Sequence, residues 1–116
     1  MTPAEKPPNF APAEIDRLIH EPARLSIMTN LAVVESANAT WLLQQTGLTW
    51  GNLGSHLTKL ADAGYISVTK RFKRKQPETT LALTAEGRDA LLRYREQLLA
   101  ALTPVNSEAQ RDRERS

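Results

Sequence analysis

The chain contains no cysteine, which excludes disulfide bonds, thiolate metal ligands and cysteine nucleophiles. It has only two histidines, His20 and His56, so a metal sensor built from clustered histidines and cysteines is not supported. No apolar run approaches the ~18 residues that a membrane-spanning helix needs. The first residues do not join a basic segment to an apolar one, so we expect no signal peptide. Together these absences predict a cytoplasmic protein.

The motifs of familiar enzyme sites are also missing. The sequence shows no Ser/His/Asp constellation, no glycine loop of the kind that cradles phosphates and no His-Glu-x-x-His pair. Its carboxylates are scattered among lysines and arginines, and nothing places two of them around a substrate. We therefore expect no enzymatic activity, no cofactor and no metal site.

The length and composition fit one small folded domain. The chain has 116 residues, of which 41% are hydrophobic and 24% charged, and these values are ordinary for a globular protein. Four prolines and few apolar side chains in residues 1–12 predict a disordered N-terminal arm. The polar, charge-rich residues 103–116 predict a disordered tail. The folded domain is then expected over residues 13–102.

Apolar side chains recur at helical spacing through the first half of the chain. Pro22 suits the first turn of a helix, where its missing N–H has no partner to lose. Residues 35–38 connect two helices and leave room for one short strand. The helices predicted here are a short one from residue 13 that carries Ile15, Leu18 and Ile19, one over residues 22–34, and one over residues 39–46.

The next predicted helix, over residues 49–63, has two different sides. Gly47 supplies the positive φ that ends the preceding helix, and Thr49 can cap the new one. Leucines and one alanine share the side that docks on the core. Small or polar residues share the free side, and this is the kind of surface that enters a DNA groove. The docking side is Leu53, Leu57, Leu60 and Ala61, and the free side is Gly51, Asn52, Ser55, Lys59 and Asp62.

A cationic hairpin follows. Gly64 stops the helix, alternation predicts a strand over residues 65–72, and a second strand returns over 79–83. Residues 70–75 hold five cations, and residues 49–83 carry six cations against two anions, a net charge of +4. The rest of the chain carries nine cations and eleven anions, a net charge of −2. This asymmetry indicates a polyanionic partner.

A final helix is predicted over residues 85–102. Thr84 suits its N-cap, and Thr103 with Pro104 is expected to end it. Its apolar stripe is broader than a small domain can easily cover, so we expect a partner subunit there. The predicted dimer interface consists of Ile15, Leu18, Ile19, Leu91, Tyr94, Leu98 and Leu102, with Leu92 and Leu99 widening the stripe.

The order of these elements and four spaced motifs resemble the winged helix-turn-helix regulators of the MarR and ArsR groups, in particular their small single-domain branch. The resemblance spans about residues 18–102, and Trp50 departs from it, because a small polar or acidic residue is more usual there. It implies a mainly α fold with a small β hairpin (α+β), a three-helix core with added terminal helices, and a homodimeric transcriptional regulator that binds operator DNA. The motifs are Pro22-Ala23-Arg24-Leu25, residues 47–53, residues 56–65, and Leu83-Thr84-Ala85-Glu86-Gly87-Arg88.

The residues and the resemblance together predict which side chains contact double-stranded DNA. Asn52 and Ser55 lie near the helix N-terminus that enters the major groove in this kind of docking, where they can bond to base edges. Lys59 and the cations of the hairpin would contact phosphates, which adds affinity without sequence information. His56 borders the apolar side, and packing or a phosphate contact suits it better than base reading. The predicted DNA-binding residues are Thr49, Trp50, Gly51, Asn52, Ser55, His56, Lys59, Arg71, Lys73, Arg74 and Lys75.

Other functions stay open at the level of sequence. The chain could be a protein-interaction or assembly module that kept the winged-helix body without operator binding, or a module that binds structured RNA. A compact regulator of this size favours repression by occluding a promoter. The sequence also leaves room for an unidentified small-molecule effector between helices at a dimer interface, and no residue identifies it.

Overall fold

In the described part of the chain, the fold consists of four helices and a small antiparallel sheet. The structure is a computed structural model that describes residues 15–115, with side chains through residue 103, so the predicted N-terminal arm lies outside the described residues. The sheet has the strand order β1-β3-β2. This arrangement confirms the predicted α+β class. The elements are α1 (Pro22–Ala32), β1 (Ala37–Asn38), α2 (Ala39–Thr46), α3 (Trp50–Asp62), β2 (Ile66–Lys73), β3 (Gln76–Leu83) and α4 (Ala85–Arg115).

The segment before α1 is a turn, whereas the apolar pattern predicts a short helix there. Oδ1 of Asp16 accepts hydrogen bonds from the amides of Leu18 and Ile19 at 2.9 and 3.3 Å, which closes a tight turn. Glu21 is extended, with φ −150° and ψ 128°, because a residue before proline disfavours the helical conformation. The turn before Glu21 therefore does not continue into α1, which begins at Pro22.

Local signals place α2 and α3 where the sequence predicts them. Gly47 has φ +70° at the end of α2, and the hydroxyl of Thr49 accepts a hydrogen bond from the amide of Asn52 at 3.2 Å to cap α3. Gly64 has φ +80° after α3, and the amide of Tyr65 then donates to the carbonyl of Leu60 at 3.0 Å. Both helices thus begin and end on residues whose backbone or side chain favours that boundary.

The core lies between the first three helices, the base of the hairpin and the start of α4. Leu53 and Leu60 of α3 are buried, and Leu57 and Ala61 pack against the core, as the docking side of α3 predicts. Ile27, Met28 and Leu31 of α1 are buried as well. The most deeply buried large side chains are Ile19, Ile27, Met28, Leu31, Leu42, Leu53, Leu60 and Leu81.

The hairpin extends well beyond the core. Ile66 pairs with Leu83 and both lie near the body, whereas Phe72 pairs with Pro77 next to the turn. Alternation along the strand predicts that Val68 faces inward, but it is 39% exposed, because β2 is an edge strand, whereas its partner Leu81 in the central strand β3 is buried. The turn itself is only two residues long, Arg74 and Lys75, so the connection is shorter than the one that the predicted strands leave between them.

Helix α4 is longer than expected. The hydroxyl of Thr84 accepts a hydrogen bond from the amide of Gly87 at 2.9 Å and donates to the carbonyl of Gly64 at 2.6 Å, so the cap also joins α4 to the end of α3. The helix then continues past Pro104 to Arg115, where the sequence predicts an end and a disordered tail. A proline removes one helical hydrogen bond, and the residues that follow it are rich in strong helix formers.

Candidate nucleic-acid interface

The free side of α3 is open to solvent. Gly51, Asn52, Ser55 and Lys59 are all exposed, opposite the buried Leu53 and Leu60. A helix of 13 residues therefore presents a polar surface that no other part of the described chain covers. This placement agrees with the predicted division of the helix into a docking side and a free side.

Packing within the subunit does not require glycine at two positions of α3. A Cβ atom added at Gly51 or at Gly54 would meet no atom within 4 Å. A glycine in a helix costs about 1 kcal/mol relative to alanine, so its use here calls for another explanation. The absence of a side chain keeps the surface low, which allows the backbone of α3 to approach a bound molecule closely.

Trp50 begins α3 and is 58% exposed. It lines a polar groove of about 380 Å³ that lies between the starts of α2 and α3 and the first half of β3. Pro77 and Thr79 of β3 line the same groove from the opposite side. Trp50 thus connects the free side of α3 with the hairpin, so one extended ligand can contact both elements.

His56 packs between α3 and α1. Its Nδ1 lies 3.2 Å from Nη1 of Arg24 and 3.5 Å from Oε2 of Glu21. Nε of Arg24 also donates to the carbonyl of Leu18 at 2.6 Å, which holds the guanidinium in place. The structure therefore gives His56 a contact within the subunit, whereas the sequence groups it with the DNA-binding residues of α3.

The carboxylate of Glu21 organises this cluster. It caps α1 by accepting hydrogen bonds from the amides of Ala23 and Arg24 at 2.8 and 3.1 Å. Burial alone would raise the pKa of Glu21, but these two hydrogen bonds and the charges of His56 and Arg24 outweigh it and lower the pKa. Glu21 is therefore ionised at neutral pH, and its contact with His56 joins the start of α1 to α3.

The hairpin carries five exposed cations: Lys70, Arg71, Lys73, Arg74 and Lys75. Among the side chains that the structure describes, none of these five forms an ion pair with a carboxylate. Like charges this close repel one another. A polyanion bound along the hairpin would remove that repulsion.

The turn has an unusual backbone for its residues. Arg74 and Lys75 have φ values of +54° and +66°, so both lie in the left-handed region. Two-residue turns with this geometry favour Asn-Gly, because other residues pay a steric penalty for positive φ. The sequence thus places two cations where a stable turn alone would select other residues.

The sequence also matches a known protein family that is consistent with this geometry. The family described as "Winged helix DNA-binding domain" matches residues 23–102. The chain belongs to this family. The hairpin is accordingly its wing.

Solved structures agree with this assignment. A transcriptional regulator homologue from Pyrococcus horikoshii OT3 is 27% identical, with a TM-score of 0.73 over 78% of this chain and 89% of that one. The transcriptional repressor BigR from Xylella fastidiosa is 26% identical, with a TM-score of 0.52 over 77% and 79% of the two chains. A putative MarR-like regulator from Bacillus cereus shares the fold, with 18% identity and a TM-score of 0.62 over 79% and 68%. The resemblance to the winged helix-turn-helix regulators of the MarR and ArsR groups is thus confirmed.

The residues predicted for a dimer interface divide into two sets. Ile15, Ile19 and Tyr94 are 8%, 0% and 4% exposed, so they lie in the core of their own subunit and offer no surface to a partner. The hydroxyl of Tyr94 also lies 2.7 Å from Nδ1 of His20. Leu102 is 53% exposed, whereas Leu18, Leu91 and Leu98 are half-buried.

An apolar groove of about 520 Å³ runs along α4. Leu92 and Leu99, which widen the predicted stripe, are 50% and 55% exposed there. Leu25 and Thr29 of α1 form the opposite side of the groove. The winged-helix protein therefore leaves an open apolar surface on the element that the sequence assigns to dimerisation.

Two further residues are exposed near the predicted DNA-binding side chains, although the sequence analysis does not include them. Gly54 lies on α3, and Phe72 is 78% exposed within the cationic run of the wing.

Within the described residues, no group of three or more histidine and acidic side chains could hold a metal ion. Across the same residues, no helix combines the length and apolarity that a membrane crossing requires.

Proposed function

We propose that this protein is a homodimeric repressor that binds a specific sequence of double-stranded DNA. In this proposal α3 lies in the major groove, the wing contacts phosphates, and the apolar surface of α4 joins two copies. The observation that carries it is the open polar side of α3 beside a wing whose five exposed cations have no carboxylate partner among the described side chains. Membership of a DNA-binding family supports the same reading.

The exposed side chains of α3 suit base reading. The amide of Asn52 can form two hydrogen bonds with adenine, and the hydroxyl of Ser55 can bond to a base or to a phosphate. Both residues are exposed near the beginning of the helix. Lys59 lies further along the same side and reaches the phosphate backbone. Thr49 keeps its capping hydrogen bond while it faces the backbone at the edge of the groove.

The wing supplies affinity that does not depend on sequence. Each phosphate that a lysine or arginine neutralises releases condensed counterions, so binding weakens steeply as salt rises. Arg71, Lys73, Arg74 and Lys75 are exposed and available for this role. Their concentration in one short hairpin fits contact with the closely spaced phosphates of a duplex.

The α4 surface suits a two-fold dimer. A two-fold axis places two recognition helices on half-sites about 34 Å apart, which is one turn of DNA. Leu92, Leu99 and Leu102 supply the exposed apolar contacts. The similarity to the transcriptional repressor BigR supports repression, in which the bound dimer occludes a promoter.

Selection of bound duplexes from a random pool, run at two salt concentrations, tests the proposal. A palindromic sequence should emerge, with two half-sites one turn apart, and its affinity should fall steeply with salt. Matched RNA and DNA duplexes should then compete unequally in favour of DNA. A pool that yields no preferred sequence, or a preference for RNA, contradicts the proposal.

A double variant, Arg74→Ala with Lys75→Ala, tests the wing directly. It should weaken binding to all duplexes and lower the salt slope by about two per protomer. The matched control is Arg17→Ala with Arg93→Ala, which removes the same charge from two exposed positions outside the wing. Equal binding by the wing variant and the wild type would rule out the phosphate contacts.

A further inference from the structure

The guanidinium of Arg24 is held between the start of α1 and α3. Its side chain is only 12% exposed, and its Nε donates to the carbonyl of Leu18 at 2.6 Å. Its Nη1 lies 3.5 Å from Oε2 of Glu21, which also accepts a hydrogen bond from the amide of Arg24. The partner nearest to Nη1 is Nδ1 of His56, at 3.2 Å. Arg24 thus joins a carboxylate before α1 to an imidazole on α3.

The contact with Arg24 determines where the neutral ring of His56 carries its proton. A guanidinium donates hydrogen bonds and accepts none. Nδ1 of His56 lies 3.2 Å from Nη1 of Arg24 and 3.5 Å from Oε2 of Glu21, so the shorter contact makes Nδ1 an acceptor. A neutral imidazole has one donor and one acceptor. The proton of the neutral ring therefore lies on Nε2.

Nε2 of His56 is available to a molecule outside the subunit. Within the part of the chain that the structure describes, Nε2 forms no hydrogen bond. Among the same residues, the buried side-chain polar atoms without a partner consist of Oε1 of Gln97 alone, so Nε2 reaches solvent. The side chain of His56 as a whole is 19% exposed. The ring thus has one side held by Arg24 and a free donor on the other.

The position of His56 on α3 places this donor beside the proposed DNA-binding surface. His56 lies four residues after Asn52 and three before Lys59, and side chains at these spacings are neighbours on a helix. Asn52 and Lys59 are exposed on the open side of α3. A donor between them meets the acceptors that DNA offers, and at the border of the helix these are phosphate oxygens.

We propose that Arg24 is a positioning residue that holds His56 so that its neutral Nε2–H donates to a phosphate of bound DNA. This inference rests on the proposed binding of duplex DNA and adds a residue outside α3 and the wing to it. Glu21 and the carbonyl of Leu18 fix the guanidinium, and the guanidinium fixes the ring. A donor that is oriented before binding loses less side-chain freedom when the complex forms.

Two replacements of His56 separate the roles of its two nitrogen atoms. In His56→Asn the amide oxygen lies close to the position of Nδ1 and keeps the bond to Arg24, but the donor at Nε2 is lost. In His56→Gln the amide nitrogen reaches the position of Nε2, but the acceptor for Arg24 is lost. Both variants are compared with the wild type at pH 8, where an ordinary imidazole is neutral.

The two variants should differ in opposite ways. His56→Asn should unfold at nearly the same urea concentration as the wild type and bind the selected duplex roughly tenfold more weakly. His56→Gln should be less stable than His56→Asn but bind the duplex more tightly. If His56→Asn binds as tightly as the wild type, Nε2 contacts no phosphate. If the two variants are equally stable, Nδ1 accepts no bond from Arg24, which also overturns the inference.

The salt dependence shows whether His56 acts as a neutral donor. Loss of a neutral donor changes no counterion release, so His56→Asn should keep the wild-type salt slope at pH 8. Lys59→Ala is the matched control on the same helix and should lower the slope by about one per protomer. A similar fall in His56→Asn would show that the ring binds as a cation, and the assignment of the proton would be wrong.

A double-mutant cycle tests whether Arg24 acts through His56. Arg24→Met should weaken binding, and Arg24→Lys, which still offers a donor to Nδ1, should restore most of the affinity. His56→Phe keeps a ring but has no donor, so Arg24→Met should weaken binding no further in that background. Circular dichroism checks that every variant is folded. If Arg24→Met lowers the affinity by the same factor in both backgrounds, Arg24 supports the fold and does not position His56.

The outcomes also distinguish this inference from the proposed function. A wild-type protein that binds no duplex overturns both. A wild type that selects a palindrome while His56→Asn binds it equally well overturns the roles of Arg24 and His56 alone.

Discussion

At the scale of single residues, Gly51 offers a test in which stability and binding change in opposite directions. The Gly51→Ala variant should be as stable as the wild type or more stable by up to about 1 kcal/mol, because alanine favours the helix and the added methyl group meets no atom within 4 Å. Its affinity for DNA should fall, since the methyl group holds α3 away from the groove. Urea unfolding and binding titrations measure the two effects.

Two further glycines serve as comparisons for this variant. Gly54→Ala should gain stability in the same way and lose less affinity, because position 54 lies nearer to the docking side of α3. Gly87→Ala should unfold far more easily, since a Cβ at that buried position would overlap the carbonyl of Tyr65. An unchanged affinity in Gly51→Ala would mean that α3 does not approach its ligand closely.

The turn of the wing gives a second opposition between stability and binding. Replacing Arg74 by Asn and Lys75 by Gly should stabilise the protein by about 1 kcal/mol, because both new residues tolerate positive φ. DNA binding should weaken, with a smaller salt slope. Arg71→Ala, which leaves the turn unchanged, should weaken binding without the gain in stability. A turn variant that binds DNA as tightly as the wild type would show that its cations touch no phosphate.

Single residues also show the limit of reading the sequence alone. Helical spacing correctly divides α3 into a docking side and a free side, but His56 lies at the border between them. Its role depends on Glu21 and Arg24, which are 35 and 32 positions earlier in the chain. Ile15 and Ile19 are similar, because an apolar residue at the end of a domain fits its own core or a partner equally well. Only the fold decides between these contacts.

At the scale of elements, helix boundaries set by the conformation or capping of single residues could be predicted. Boundaries that depend on two opposing effects could not. Gly47, Thr49 and Gly64 fix the limits of α2 and α3 through backbone conformation and capping. Pro104 predicted the end of α4 in the same way, yet the helix continues. There one lost hydrogen bond competes with the helix propensity of the residues that follow, and the sequence does not show which effect is larger.

The hydrogen bond between Tyr65 and Asp16 joins the first turn to the segment after α3 and predicts a loss of stability at high pH. The hydroxyl of Tyr65 donates to Oδ2 of Asp16 at 2.7 Å. Burial first, and then this bond to a carboxylate, raises the pKa of Tyr65 from 10.0 to about 12. The folded state thus holds the proton more tightly than the unfolded state. The contribution to stability is complete below pH 10 and is lost as the pH rises through about 12.

The Tyr65→Phe variant tests this link between elements. It should be less stable than the wild type at pH 8, and the difference should shrink as the pH rises from 10 to 12. Chemical denaturation at a series of pH values measures it. Tyr94→Phe is the control, because the Tyr94 hydroxyl contacts His20 rather than a carboxylate, and it should keep the wild-type loss at high pH. A constant difference between Tyr65→Phe and the wild type would show that Tyr65 is not the titrating group.

At the scale of the whole molecule, the proposed function requires two copies to associate through the apolar surface of α4 while each copy binds DNA through α3. Leu92→Lys with Leu99→Lys places charges on two side chains that are 50% and 55% exposed, so the subunit itself should stay folded. Light scattering should then report a monomer. Affinity for a palindromic duplex should fall by roughly a hundredfold or more, because one half-site no longer assists the other.

Binding to a single half-site shows whether the loss of affinity comes from the loss of the dimer. The two α4 substitutions leave α3 and the wing untouched, so the double variant should bind an isolated half-site as tightly as one wild-type subunit does. Val33→Lys, which charges an apolar side chain that is 78% exposed and lies outside α4, should remain a dimer and keep full affinity for the palindrome. If the double variant stays dimeric, two-fold association occurs through another surface. If it becomes monomeric yet keeps full affinity for the palindrome, the subunits read DNA independently, and the spacing of the half-sites carries no binding energy.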